Sequence, residues 1–314
     1  MFKYVLVFLI ATIVGLMLSY PTILLCKKLK IGQTTLHYVE KHSSKSGTPT
    51  MGGIIFILAA IIASFGFFVS GIDGWLCLVV MLGYGFLGFF DDFIKVRFHK
   101  NEGLKPYQKI VGQLGIAIIM SIYVYINIGT SIDFFGLTIN LGWFIIPFVI
   151  LIYLATTNSV NLTDGLDGLA GGVSLIFLLF FALILMVISK SENVIVACFA
   201  LIGGLVGFLA VNAYPAKIFM GDTGSLALGG FIATAVCLTK QELLLPIIGI
   251  MFVLSALSDI IQVLHYKRTK RRVFLMAPLH HHFEQKGVNE NKIVVIYIVI
   301  TIIFGALSLS LTML

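Results

Sequence analysis

Apolar residues fill long runs of this chain, and polar residues gather in short stretches between them. The runs lie near residues 2–25, 51–70, 75–90, 110–127, 142–157, 171–188, 195–211, 226–239, 242–266 and 292–313. A helix needs roughly 20 apolar residues to cross a bilayer core. In lipid, every backbone polar group must also be bonded within its own segment. The pattern therefore predicts an all-α, polytopic integral membrane protein with about ten transmembrane helices, a single domain over residues 1–314. The break near Lys240 is short, and its two flanking segments also read as one kinked feature. Three runs, 75–90, 142–157 and 226–239, are short of the ~30 Å core at ~1.5 Å per residue. Each meets a polar motif at one end, which predicts motifs recessed near the depth of lipid phosphates.

Composition sharpens this picture. The chain is 59% hydrophobic and 11% charged, against roughly 25% charged in soluble domains, and its mean hydropathy is +1.06. No separate soluble domain is expected. The first run, from Lys3 to Leu25, is as long as a span and is followed by a basic cluster. It reads as a helix that stays rather than a cleaved signal peptide. Cys26, Cys77, Cys198 and Cys237 have neither metal-like nor disulfide-like spacing and read as small apolar residues.

The net charge of +7 would suggest nucleic acid in a soluble protein. Here its distribution points to the bilayer, and no nucleic-acid partner is expected. The loops 26–50, 91–109, 158–170, 212–225 and 265–291 fall on one side of a ten-span arrangement. They hold 17 of the 21 Lys and Arg residues: five in the first, five in the second, one in the fourth and six in the fifth. The positive-inside rule makes that side cytoplasmic and both termini extracytoplasmic. Polar residues that took no part in this assignment fall on the same side. They are Asp91, Asp92, Asn161, Asp164, Asp167, Asn212, Asp222 and His280–His282. The active site is expected on the cytoplasmic face.

Several motifs on that face carry chemistry. Asp91 and Asp92 are adjacent where the third apolar run ends, with Lys95 one turn on. Neighbours on a helix point about 100° apart, so one could ligate a cation while the other is a second ligand or a base. Alone, the pair also reads as a solvated helix end neutralised by Lys95. Asn158, Asn161, Asp164 and Asp167 recur every third residue and share one face of a turn. They resemble half of an oxygen-rich site for a hard cation or a sugar, or else cap the next helix. Asp222, Thr223 and Ser225 precede a glycine-rich apolar helix, whose start offers N–H groups to an anion, with Lys217 close by. His280, His281 and His282 cannot all chelate one ion from a regular backbone, and HExxH is absent, so they suit a phosphate or a nucleobase. The polybasic stretch 265–272 beside them reads as a headgroup contact. Lys45, Thr48 and Thr50 add phosphate-type donors in an irregular Gly/Pro-rich loop. Acids and bases together on one face suggest a metal with phosphates.

Five of these stretches carry a resemblance: "GTPTMGG" (47–53), "DDFIKV" (91–96), "NLTDGLDGLA" (161–170), "MGDTGSLALGG" (220–230) and "PLHHHFE" (278–284). Together they resemble the phospho-N-acetylmuramoyl-pentapeptide-transferase family, of the polyprenyl-phosphate N-acetylhexosamine-1-phosphate transferase superfamily. The likeness extends over essentially the whole chain. It implies a multi-pass protein of the bacterial plasma membrane, a homodimer, that joins UDP-MurNAc-pentapeptide to undecaprenyl phosphate, giving lipid I and UMP with Mg²⁺ as cofactor. By motif match it implies Asp222 as the Mg²⁺ ligand, Asp92 at the metal site and Asp91 orienting or deprotonating the lipid phosphate. Asn161, Asp164, Asp167, Asn212 and Phe219 would line the uridine and sugar-phosphate pocket. His280, His281, His282 and Lys45 would hold the phosphates or the glycan, with His281 counted among the catalytic residues. Thr50, Lys95 and one of Lys105 and Lys109 would meet phosphate. Two rivals stand beside this reading: a sister transferase using UDP-GlcNAc, and an ion-coupled transporter. The transporter would need charges near mid-span, where this chain has almost none.

Overall fold

The structure is a computed structural model that describes residues 1–29, 47–67, 72–98 and 103–313. Its elements run α1 (Phe2–Lys28), α2 (Gly53–Ser64), α3 (Asp73–Arg97), α4 (Pro106–Tyr123), a hairpin of β1 (Ser131–Phe134) and β2 (Leu137–Asn140), and α5 (Ile145–Thr163). There follow α6 (Leu169–Val187), α7 (Glu192–Asn212), α8 (Gly221–Leu238), α9 (Leu245–Ile248), α10 (Ile250–Thr269), α11 (Leu279–Gln285) and α12 (Glu290–Met313). Among the described residues nine helices are long and apolar enough to cross a membrane. The chain is a multi-pass membrane protein. The expected second span is an apolar helix of only 12 residues, Gly53–Ser64.

The expected short spans are not short helices. α3 runs 25 residues and carries Asp91, Asp92 and Lys95 inside its last turns rather than beyond its end. The 145–163 and 221–238 helices likewise contain Asn161 and Asp222. Polarity ends a run of hydropathy without ending a helix, because backbone hydrogen bonding continues wherever side chains find partners. The break near Lys240 is real: α8 stops at Leu238, and Lys240 takes a left-handed φ of 59°. The expected span 242–266 is divided at Gly249 into a short turn-and-helix and α10.

α8 is the buried axis of the bundle. α3 and α5 pack along it, α1 and α2 along α7, and α12 along α6. Small residues let these helices approach, the usual device where lipid gives no hydrophobic drive between apolar helices. A Cβ at Gly88 of α3 would overlap the Asp222 carbonyl of α8, and one at Gly229 of α8 would lie 2.5 Å from Thr157 Cα of α5. The first of these crossings brings the twin aspartates against the start of α8.

The two ends of the bundle collect different loops. One end joins Lys3 to Glu192 (3.1 Å), Ser191 to Asp73 (3.1 Å), Lys190 to Asp133 (3.0 Å) and Lys240 to Ser131 (3.0 Å). The antiparallel hairpin, for which the hydropathy pattern offered no sign, sits here against the turn at Glu242–Leu244. The other end gathers the loops with the chemistry-bearing residues. Among the described residues, the grouping of loops read from the basic residues is the grouping in space.

Glu242 gives this hairpin end a pH dependence. Its carboxylate oxygens are enclosed with no side-chain hydrogen-bond donor. Burial, opposed by its own backbone N–H, reinforced by the Asp133 charge and opposed again by Lys240 and Lys190, pushes the carboxyl up to about 8. The folded state therefore holds a proton that the unfolded state releases at ordinary carboxylate pH. That contribution to stability is complete below about pH 4.5 and is lost as pH rises through about 8. The thermal midpoint in detergent is expected to fall across this window. Glu242→Gln should flatten the fall, and an unchanged slope in the variant would refute the assignment.

Candidate functional site

The site begins where α3 crosses α8. Asp92 is buried on α3, and both its oxygens face the first turn of α8. It accepts the N–H of Asp222 (3.2 Å), the N–H of Thr223 (2.9 Å) and the Thr223 hydroxyl (2.7 Å). A helix start leaves N–H groups unpaired and carries partial positive charge, so a carboxylate from a neighbouring helix is a strong cap. Gly221, at φ 74°, makes this possible: a Cβ there would lie 2.5 Å from Asp92 Oδ2 and 2.8 Å from Thr50 Oγ1.

Asp222, seated by that cap, is the hub. Its Oδ2 accepts from Lys95 Nζ (2.9 Å) and Lys109 Nζ (2.8 Å), and its Oδ1 from Asn161 Nδ2 (2.7 Å). Asn161 also donates to Ser225 Oγ (2.8 Å). Asp91 sits one residue before Asp92 on α3 and binds differently. Its Oδ2 pairs with Lys95 Nζ (2.6 Å) and its Oδ1 accepts the Leu104 N–H (2.8 Å). Four elements thus converge: the end of α3, the start of α4, the end of α5 and the start of α8.

One oxygen from each of Asp91, Asp92 and Asp222 lies within 4.8 Å of the others. Hard oxygen donors so grouped suit a small divalent cation, which keeps water and substrate oxygens among its ligands. Asp164, in the turn after α5, adds a fourth carboxyl. Burial and then the charges of Asp222, Asp92 and Asp167 push its pKa well above the usual range. This excess of carboxylates over close cations is what a bound metal would relieve.

The glycosyl transferase family 4 model matches residues 74–240, and the phospho-N-acetylmuramoyl-pentapeptide-transferase signature 1 matches residues 45–57. Proteins named phospho-N-acetylmuramoyl-pentapeptide-transferase align almost end to end. One from Thermoanaerobacter sp. (strain X514) is 48% identical over 310 residues, 95% of this chain and 96% of the relative. One from Desulforamulus reducens is 44% identical, covering 96% and 93%. One from Clostridioides difficile (strain 630) is 42% identical, covering 96% and 95%. This chain belongs to the phospho-N-acetylmuramoyl-pentapeptide-transferase family.

The residues that the family resemblance implicated are divided by the fold into those that meet at Asp222 and those that hold the surrounding loops. Lys109, not Lys105, reaches Asp222; Lys105 is exposed at the start of α4, where its N–H donates to Gln108 Oε1 (2.9 Å). Asn212 was expected in the substrate pocket. It is buried, accepts the Gly168 N–H (3.1 Å) and donates to the Ile218 carbonyl (2.9 Å), stapling two loops. Asp167 is also buried; its Oδ2 accepts the Ala216 N–H (2.9 Å) and its own N–H donates to Glu290 Oε1 (2.8 Å). Phe219 is half-buried and exchanges backbone bonds with Pro49 and Gly52, which brings the Thr50 loop beside Gly221. Lys45 lies outside the described residues.

The three histidines share the seven-residue helix α11 and point three ways. His280 is 0% exposed, and burial, with the adjacent His281, holds its imidazole well below the usual pKa. Its Nε2 occupies the place a Cβ on Gly165 would take. The expected direct substrate contact is therefore closed to it here; it packs under the turn that carries Asp164. His281 Nδ1 lies 3.0 Å from Glu284 Oε2, and His282 Nδ1 accepts the Leu275 N–H (3.1 Å). Gly165→Ala would push His280 or the turn aside. Displacements near 1 Å cost roughly 10²-fold in rate, so turnover is expected to fall by about that factor. Paired kcat and thermal-midpoint measurements check it, and a variant as active as the parent would contradict the packing role.

Sequence reasoning passed over Gly221, Gln113 and Glu290. Gln113 of α4 is buried, takes the Asn158 amide (2.7 Å) at its Oε1 and accepts the Tyr84 hydroxyl at its backbone carbonyl (3.0 Å). A lone Gln in an apolar run was a usable signal. Glu290 in an exposed-looking loop gave none.

Proposed function

We propose that this protein transfers phospho-MurNAc-pentapeptide from UDP-MurNAc-pentapeptide to undecaprenyl phosphate, giving lipid I and UMP. The reaction takes place at the cytoplasmic face of the bacterial plasma membrane, with both termini on the opposite side. One observation carries the chemistry: Asp222 held by Lys95, Lys109 and Asn161 beside Asp91 and Asp92 at one end of a bundle of apolar helices. Near full-length identity of 48% to a phospho-N-acetylmuramoyl-pentapeptide-transferase supports the choice of substrates.

In this reading an oxygen of the acceptor phosphate attacks the β-phosphorus of the sugar nucleotide. A P–O bond forms, the bond to UMP breaks, and UMP leaves with the electron pair. Lys95 and Lys109 offset the negative charge that grows on the diphosphate. Asp222 would hold Mg²⁺ together with Asp92, whose oxygens also cap the start of α8, and Asp91 lies beside them. Mg²⁺ when bound supplies charge neutralisation and a template for phosphate oxygens. A phosphate monoester has a second pKa near 6, so the acceptor is mostly dianionic at pH 7 and little proton removal is needed. Asp91, paired to Lys95, thus serves chiefly to aim that lysine and the acceptor. Asp164 and His281 border the nucleotide and sugar side.

Purified protein should release UMP only when UDP-MurNAc-pentapeptide, undecaprenyl phosphate and Mg²⁺ are all present, and EDTA should stop the release. Supplying UDP-GlcNAc instead separates this reading from that of a sister transferase. Release that ignores the lipid acceptor, or that prefers UDP-GlcNAc, would overturn the proposal.

A further inference from the structure

α10 leaves the bundle. Its buried side chains end at Ser258, whose hydroxyl accepts the Leu279 N–H (2.9 Å) and so marks the level of the histidine helix. The helix continues for eleven more residues, about 16 Å at ~1.5 Å per residue. From Val263 to Val273 every residue is exposed.

Two kinds of side chain share this exposed end. Ile260, Leu264 and Tyr266 are apolar and 47–63% exposed, and Val273 and Leu275 add to them on the following turn. Beside them stand Lys267, Arg268, Lys270, Arg271 and Arg272, and among the described residues none of these five has a carboxylate partner. The turn is not loose. Gln262 accepts the N–H groups of Val273 and Phe274 (both 3.0 Å) and donates to the Phe274 carbonyl (3.0 Å), folding the basic segment back onto the helix. A cationic collar is therefore held against an apolar sleeve.

A free phosphate or a soluble nucleotide would satisfy the collar and leave the sleeve in water. A ligand with an anionic head and acyl chains satisfies both. We propose that the end of α10 is a binding site for anionic phospholipid of the bilayer. The phosphodiester sits among Lys270, Arg271 and Arg272, and the chains lie along Leu264 and Val273. This site lies outside the Asp222 cluster and does not depend on the substrates assigned above.

The test reads binding directly. Protein is reconstituted in nanodiscs of phosphatidylcholine containing some phosphatidylglycerol, and lipid retained on the released protein is counted by native mass spectrometry. A triple K270Q/R271Q/R272Q variant is expected to retain at least about tenfold less phosphatidylglycerol, since each surface cation contributes on the order of 1 kcal/mol to headgroup binding. Arg271→Lys with Arg272→Lys should keep binding, because charge and not fork geometry is used. Lys27→Gln with Lys28→Gln, at the end of α1, should leave it unchanged. Thermal midpoints verify folding, for which these exposed residues are not needed. Unchanged phosphatidylglycerol retention in the triple variant overturns the proposal. So does a KM for the sugar nucleotide that is higher in the triple variant than in the parent, both measured in pure phosphatidylcholine, which would make the collar a substrate subsite.

Discussion

Asp222→Asn is expected to lower kcat by roughly 10³-fold, the scale for losing one group of a preorganised electrostatic site, while protein yield and thermal midpoint change little. Asp222 binds two lysines, with Asn161 as a third partner. Asparagine keeps the shape, but its one acceptor oxygen can meet either the two lysines or Asn161, and it loses the charge that both lysines face. Lys95 retains its pair with Asp91, so the fold keeps an anion at the site. The loss should therefore fall on turnover and on Mg²⁺ dependence rather than on folding. Steady-state UMP release and a thermal melt on one preparation decide it. A variant within about tenfold of the parent would remove Asp222 from the centre of the reaction.

Asp92→Asn is expected to act along another route. Three donors converge on the Asp92 carboxylate. An amide has one acceptor oxygen, so its NH₂ must face an N–H of α8. Loss of a good cap costs about 1 kcal/mol, and loss of charge at the helix start adds to that. The thermal midpoint should drop by a few degrees. The first turn of α8, which carries Asp222, should loosen, and turnover should fall by about 10²-fold. The two readouts separate roles. Activity falling only in proportion to folded protein would make Asp92 a structural cap and nothing more. Activity lost with no change in midpoint would make it a direct ligand.

Both predictions rest on a crossing of helices that hydropathy does not register. "DDFIKV" was legible as chemistry, but it was read as a stretch beyond the end of a span. Its residues instead continue α3, because Asp92 and Lys95 find partners on α8 and Asp91 finds one just before α4. The same motif left open which aspartate bound what. Gly88 and Gly221 decided that, by letting α3 approach the α8 start so closely that Asp92 became its cap. Likewise "HHH" was legible as imidazoles suited to a phosphate or a nucleobase, and the fold decided where each one goes. His280 went under Gly165, while His281 and His282 took partners in or near their own short helix.

The amino-acid sequence by itself determined the membrane class, nearly all of the spans, the partition of loops between two ends, and the family. Lipid acts on each segment separately, so local hydropathy is enough to read a span, and charge counted loop by loop is enough to group the ends. Only the tertiary structure decided that Lys109 rather than Lys105 meets Asp222, that Asn212 and Asp167 staple loops, and that a hairpin covers the far end. Those outcomes depend on which helices and loops meet and how closely, and contacts such as Asp167–Ala216, 49 positions apart, and Lys109–Asp222, 113 apart, leave no periodicity to read.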